Sequence, residues 1–147
     1  MARWVGDSMF WSRRRKLAVA VTCADWRLHQ SAVDFNRRIG KAVGARCVDL
    51  VALPGPDGLL RPERSTEWNA ALGQVKLLAD AHQADFIALV AHQRCAGHPV
   101  SDDEHNLDAA AVAKELKEKL GFPGPVHALV ATYRSDAKWG LKSVGAF

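Results

Sequence analysis

Phe86-Ile87-Ala88-Leu89-Val90-Ala91-His92-Gln93-Arg94-Cys95-Ala96-Gly97 is the stretch that decides the fold. Its first half, Phe86 to Ala91, is a short continuous apolar run, as expected of a strand buried on both faces. Its second half sets His92 and Cys95 on the turn that leaves this strand. Both side chains can reach one metal ion there, since zinc takes imidazole nitrogen at about 2.0–2.1 Å and thiolate sulfur at about 2.3 Å. Two ligands do not make a tight site, so a third must come from elsewhere in the chain.

A candidate stands at the end of an earlier apolar run. Leu17-Ala18-Val19-Ala20-Val21-Thr22 is followed by Cys23-Ala24-Asp25-Trp26-Arg27. If the two runs are parallel neighbours in one sheet, both turns emerge at the same carboxyl edge. Open α/β sheets build their sites at that edge, where strand order reverses. Cys23, His92 and Cys95 then form a Cys2His set with one position left open, the ligand pattern of catalytic zinc.

The rest of the chain alternates around these runs. Ser31 to Val43 has a helical pattern, with Val33, Phe35, Ile39 and Val43 as its apolar face and Gly44 as its end. Cys47 to Leu53 reads as the second strand and Pro54-Gly55-Pro56-Asp57-Gly58 as a loop. Ser65 is the expected N-cap of a helix running to about His82, with Trp68, Leu72, Val75 and Leu78 near helical spacing. Ser101-Asp102-Asp103-Glu104 opens a helix that stops at Gly121. Val126 to Thr132 is a fourth strand, and the polar tail from Tyr133 to Phe147 carries no assignment. This alternation predicts an α/β fold with a parallel sheet and helices on both faces.

Cys-x-Asp-x-Arg after one strand, followed by His-x-x-Cys after a later one, resembles the β-class carbonic anhydrases. In this sequence the motifs are Cys23-Ala24-Asp25-Trp26-Arg27 and His92-Gln93-Arg94-Cys95. The match runs from about Leu17 to about Tyr133 by order of elements, as in a short, divergent member. The resemblance implies a three-layer, mainly parallel sheet of order 2-1-3-4, which sets the ends of the first and third strands side by side. It implies Zn²⁺ held by Cys23, His92 and Cys95, and reversible hydration of CO2 to bicarbonate by zinc-bound hydroxide. Asp25 would orient the zinc-bound water, and Arg27 would hold Asp25 ionised. In some members the Asp instead takes the fourth zinc position until Arg releases it, and both states stay open here. The resemblance also implies a homodimer or a higher even-numbered assembly.

The sequence departs from the family at several places. Trp26 stands where a small Ser is usual, and its indole is expected to narrow the pocket. Arg94 stands where an acidic or small polar residue is common, and Ala96 displaces the glycine after the cysteine. Leu53-Pro54-Gly55-Pro56 occupies the place of the family's Arg-Asn-Ala-Gly stretch. An altered pocket would suit hydrolysis of carbon disulfide or carbonyl sulfide on the same metal. A third reading is a zinc-binding protein without catalysis, in which the metal holds the fold or an assembly. A proton shuttle could be His29, His98 or His105, of which His98 lies nearest the ligand turn, although each is first read as an exposed histidine without a role.

Composition sets the outer bounds. The chain of 147 residues, 48% hydrophobic and 24% charged, is the size of one domain with a real core. We read residues 1–16 as an arm and 17–147 as the zinc-binding domain. Trp4, Phe10 and Trp11 suit an arm that packs on the body or on a second subunit. No apolar run reaches the roughly 18 residues of a transmembrane helix. The run after Arg13-Arg14-Arg15-Lys16 is also shorter than the roughly 7–15 residues of a signal-peptide core. Three cysteines do not make a disulfide framework; Cys47 is expected in a core, and a reducing cytoplasm is the expected compartment. The net charge of +4 comes with no nucleic-acid motif, so a small-molecule substrate and a second copy are the expected partners, with neither nucleic acid nor membrane.

Overall fold

A computed structural model describes residues 15–135 and 138–147. The expected arm lies outside the described residues as far as residue 14, including Trp4, Phe10 and Trp11. In chain order the elements are β1 (Leu17–Thr22), α1 (Ala32–Val43), β2 (Cys47–Ala52), α2 (Ser65–His82), β3 (Phe86–His92), α3 (Asp102–Leu120), β4 (Val126–Ser135) and β5 (Lys138–Ala146). Two single 3₁₀ turns, Pro56–Gly58 and Pro62–Arg64, fill the connection from β2 to α2.

The strands form one sheet of order β2-β1-β3-β4-β5. The first four are parallel, in the expected order, and β5 runs antiparallel to β4. β5 corrects the unassigned tail, and β4 continues past Thr132 to Ser135. β1 and β3 lie in the middle of the sheet, which is why their sequences are continuously apolar rather than alternating.

Alternate strand residues feed two cores. Val19, Val21, Ile87 and Leu89 pack with Val75 of α2 and with Val112 and Leu116 of α3. Ala18, Ala20, Ala88 and Val90 pack with Phe35, Ile39 and Val43 of α1. The period of two along each strand thus assigns α2 and α3 to one face and α1 to the other. At roughly 25 cal/mol per Å² of apolar surface buried, these two faces supply most of the favourable folding energy.

Three local expectations are corrected. Val33 is 69% exposed, because the buried residues of α1 recur at steps of four, and Val33 falls two positions off that line. Ser65 does not cap α2: it already has helical backbone angles (φ −58°, ψ −35°), so Arg64 holds the cap position without a side-chain cap bond. Cys47 is half-buried rather than enclosed, since β2 is the edge strand. α3 starts where the sequence suggested, and Ser101 and Glu104 form a complete capping box there.

Candidate metal centre

Pairing of β1 with β3 builds the site. Thr22 lies opposite Val90, so the chain leaves β1 at Cys23 while β3 still has two residues to run. His92 ends β3, and Arg94, with a left-handed backbone (φ 54°), turns the chain back to present Cys95. Cys23, His92 and Cys95 are all buried. Their ligand atoms lie within 4.8 Å of one another, the only such group of three among the described residues.

The geometry of this group suits a tetrahedral metal. Two sulfurs each about 2.3 Å from a tetrahedral zinc lie about 3.8 Å apart. The Sγ atoms of Cys23 and Cys95 are 3.8 Å apart. His92 Nδ1 donates to the Gln93 carbonyl oxygen at 2.7 Å, which fixes the tautomer. Its Nε2 is then a lone-pair nitrogen, buried and without a hydrogen-bond partner. A buried acceptor left unpaired carries a cost of about 1–3 kcal/mol, which a metal ion would relieve. The residues present therefore fit the ion.

Without a metal the thiols share a proton. The contact between them lowers the Cys23 pKa, while the same contact and burial raise that of Cys95. Burial pushes His92 down, but the neighbouring Cys23 sulfur outweighs it and leaves His92 above its ordinary value. A metal replaces that shared proton as the positive partner of both sulfurs.

Asp25 and Arg27 stand beside the donors. Arg27 Nε donates to Asp25 Oδ1 at 3.0 Å and Nη2 to Oδ2 at 2.7 Å, a bidentate contact. The Arg27 backbone N–H adds a bond to Oδ1 at 2.9 Å. Chiefly through the guanidinium, these bonds hold the Asp25 carboxyl below the usual carboxylate range. Asp25 Oδ2 lies 3.8 Å from His92 Nε2, so the carboxylate faces the donor set.

Tyr133 was not foreseen. Its ring lies edge-on to His92 at 5.7 Å between centroids, and the Arg27 guanidinium sits 4.6 Å from its centre. Its hydroxyl is buried without a partner, and burial, aided by the Asp25 charge, raises its pKa. Gln93 fixes this corner, accepting from the Tyr133 N–H at 3.1 Å and donating to Asp102 at 2.8 Å. The departures look different in place. Trp26 is 64% exposed, so its indole does not narrow the site. Arg94 offers its carbonyl to Arg27 Nη2 at 3.2 Å.

The three shuttle candidates are all engaged. His29 Nε2 donates to the Cys23 carbonyl at 2.8 Å. His98 and His105 are buried, not exposed; His98 pairs with Asp108 at 2.7 Å and His105 with Asp57 at 2.5 Å.

The model of a protein family described as "Putative carbonic anhydrase" matches residues 13–142. The chain belongs to this family. The matched span of this carbonic anhydrase family member holds Cys23, Asp25, Arg27, His92, Cys95 and Tyr133. No curated protein matches the chain. No described helix is long and apolar enough to cross a membrane.

Proposed function

We propose that the protein is a zinc-dependent lyase catalysing the reversible hydration of CO2 to bicarbonate. The observation that carries this reading is the orphaned His92 Nε2 beside two sulfurs at tetrahedral spacing. Cys23, His92 and Cys95 are the residues that would hold the ion. Zinc in such a site lowers the pKa of a coordinated water to about 7 and so supplies hydroxide at neutral pH.

The chain's own groups do the rest. Asp25, ionised and fixed by Arg27, accepts a hydrogen bond from the attacking oxygen and aims its lone pair at the substrate carbon. Because both Asp25 oxygens are gripped by Arg27, we assign it this orienting role rather than a place among the ligands. The Arg27–Tyr133 stack keeps that grip rigid. Burial of the three donors keeps the centre dry, which strengthens each electrostatic contact.

The sulfur-substrate reading drew on a pocket narrowed by Trp26, and that side chain faces solvent. Stopped-flow CO2 hydration by the zinc-loaded protein tests the proposal, followed by a sulfide-release assay with carbon disulfide. The proposal expects zinc-dependent hydration that Cys95→Ala abolishes. Sulfide release without hydration would move the reading to the hydrolase. A zinc-loaded protein inert in both assays would leave the non-catalytic zinc protein.

A further inference from the structure

The segment from Pro54 to Leu59 is a loop by composition, yet Gly55 to Leu59 are all buried. Its backbone lies directly against the turn that carries Cys95. A Cβ on Gly97 would meet Gly55 N at 2.8 Å and Pro54 C at 2.8 Å. A Cβ on Gly55 would meet Gly97 C at 2.6 Å. Two backbones this close require glycine on both sides.

The contact buttresses the turn that presents Cys95. The His98 N–H donates to the Cys95 carbonyl oxygen at 3.3 Å and closes that turn. Side chains far off in sequence hold the loop there. Asp57, 2% exposed, accepts from His105 Nδ1 of α3 at 2.5 Å, and His105 is fully buried. Arg64, just before α2, donates to the carbonyls of Gly55 and Pro54 at 2.6 Å each. His98 is fixed from the α3 side by Asp108.

The buried Asp57–His105 pair is not part of the Cys23, His92 and Cys95 group, and a buried ion pair is weak evidence for stability, since its desolvation offsets its attraction. We propose that Asp57, His105 and Arg64 are positioning residues that strap the 54–58 segment against Gly97, so that the turn presenting Cys95 is held where its sulfur meets Cys23 and His92. Outer partners of this kind typically change metal affinity by about 10–100-fold. The inference rests on the metal reading above.

Cobalt(II) tests it, because the intensity of sulfur-to-cobalt charge transfer reports how many sulfurs reach the metal. The measurements are the cobalt absorption spectrum and zinc affinity by chelator competition. His105→Leu removes the donor to Asp57, whereas His105→Asn keeps an N–H near the place of Nδ1. Arg64→Met frees the two carbonyls at a partly exposed site and decides the matter if His105→Leu does not fold. Leu116→Ala, a core cavity far from the loop, controls for simple destabilisation.

Expected are a weakened charge-transfer band and zinc binding weakened about 10–100-fold in His105→Leu and Arg64→Met. His105→Asn should restore the band, and Leu116→Ala should leave it in place. A band and affinity unchanged in folded His105→Leu and Arg64→Met would overturn the inference while leaving the metal reading intact. Failure of the unaltered protein to take up cobalt or zinc would overturn both.

Discussion

At Asp25 both carboxylate oxygens are taken by Arg27, yet Oδ2 still faces His92 at 3.8 Å. The salt bridge thus holds one charge still beside Cys23, His92 and Cys95. Asp25→Asn should keep zinc and lose most of the hydration rate, since orienting groups contribute about 10²–10⁴-fold. Metal analysis beside stopped-flow rates checks this, and an unchanged rate would assign Asp25 to structure alone. His127 offers a separate test at the same scale. Burial lowers its pKa in the folded chain, so the unfolded chain binds the proton more readily. Its contribution is constant above the unfolded value of 6.5 and is lost as pH falls below it. Urea midpoints should drop between pH 7.5 and 5.5, and drop less in His127→Gln. The meeting of Cys23, His92 and Cys95 was legible in the sequence because each stands at the end of an apolar run that reads as a central strand. Tyr133 was not, since its approach to His92 depends on β4 lying beside β3. The Asp57–His105 pair spans 48 positions and leaves no local mark.

Among the elements, the central strands announced themselves. β1 and β3 are buried on both faces, so their residues are apolar without interruption. β5 is an edge strand with mixed exposure, and Lys138, Gly140 and Lys142 gave it no apolar run to read. The β2–α2 connection misled in the other direction: Pro and Gly marked a loop, but nothing in composition marked a buried one. The close backbone contact there makes a sharp prediction. Gly97→Ala forces Gly55 and Pro54 away from the Cys95 turn, because the new Cβ would meet backbone rather than a flexible side chain. Overpacking of this kind costs about 1–3 kcal/mol. Thermal melts should show that loss together with weaker zinc binding. A variant with wild-type melting and zinc affinity would mean that the two backbones separate freely.

For the whole molecule, the parallel order β2-β1-β3-β4 brings two strand ends about seventy residues apart together, with the sulfurs of Cys23 and Cys95 3.8 Å apart. We propose further that the assembly is a homodimer or a higher even-numbered oligomer. The grounds are the family resemblance, the arm with Trp4, Phe10 and Trp11, and the prevalence of two-fold dimers among soluble proteins. Light scattering at micromolar concentration should give at least twice the 16.0 kDa of one chain. Deleting residues 1–12 should weaken that assembly and lower activity with it. An active species at 16.0 kDa would contradict this.

The central claim is that Cys23, His92 and Cys95 hold zinc as a tetrahedral Cys2His centre. Zinc K-edge X-ray absorption of the metal-loaded protein tests it most directly. The account predicts two sulfur neighbours at about 2.3 Å and two nitrogen or oxygen neighbours at about 2.0–2.1 Å. Cys95→Ala should show at most one sulfur, or no bound zinc at all. A shell of nitrogen and oxygen alone in the unaltered protein would contradict the account.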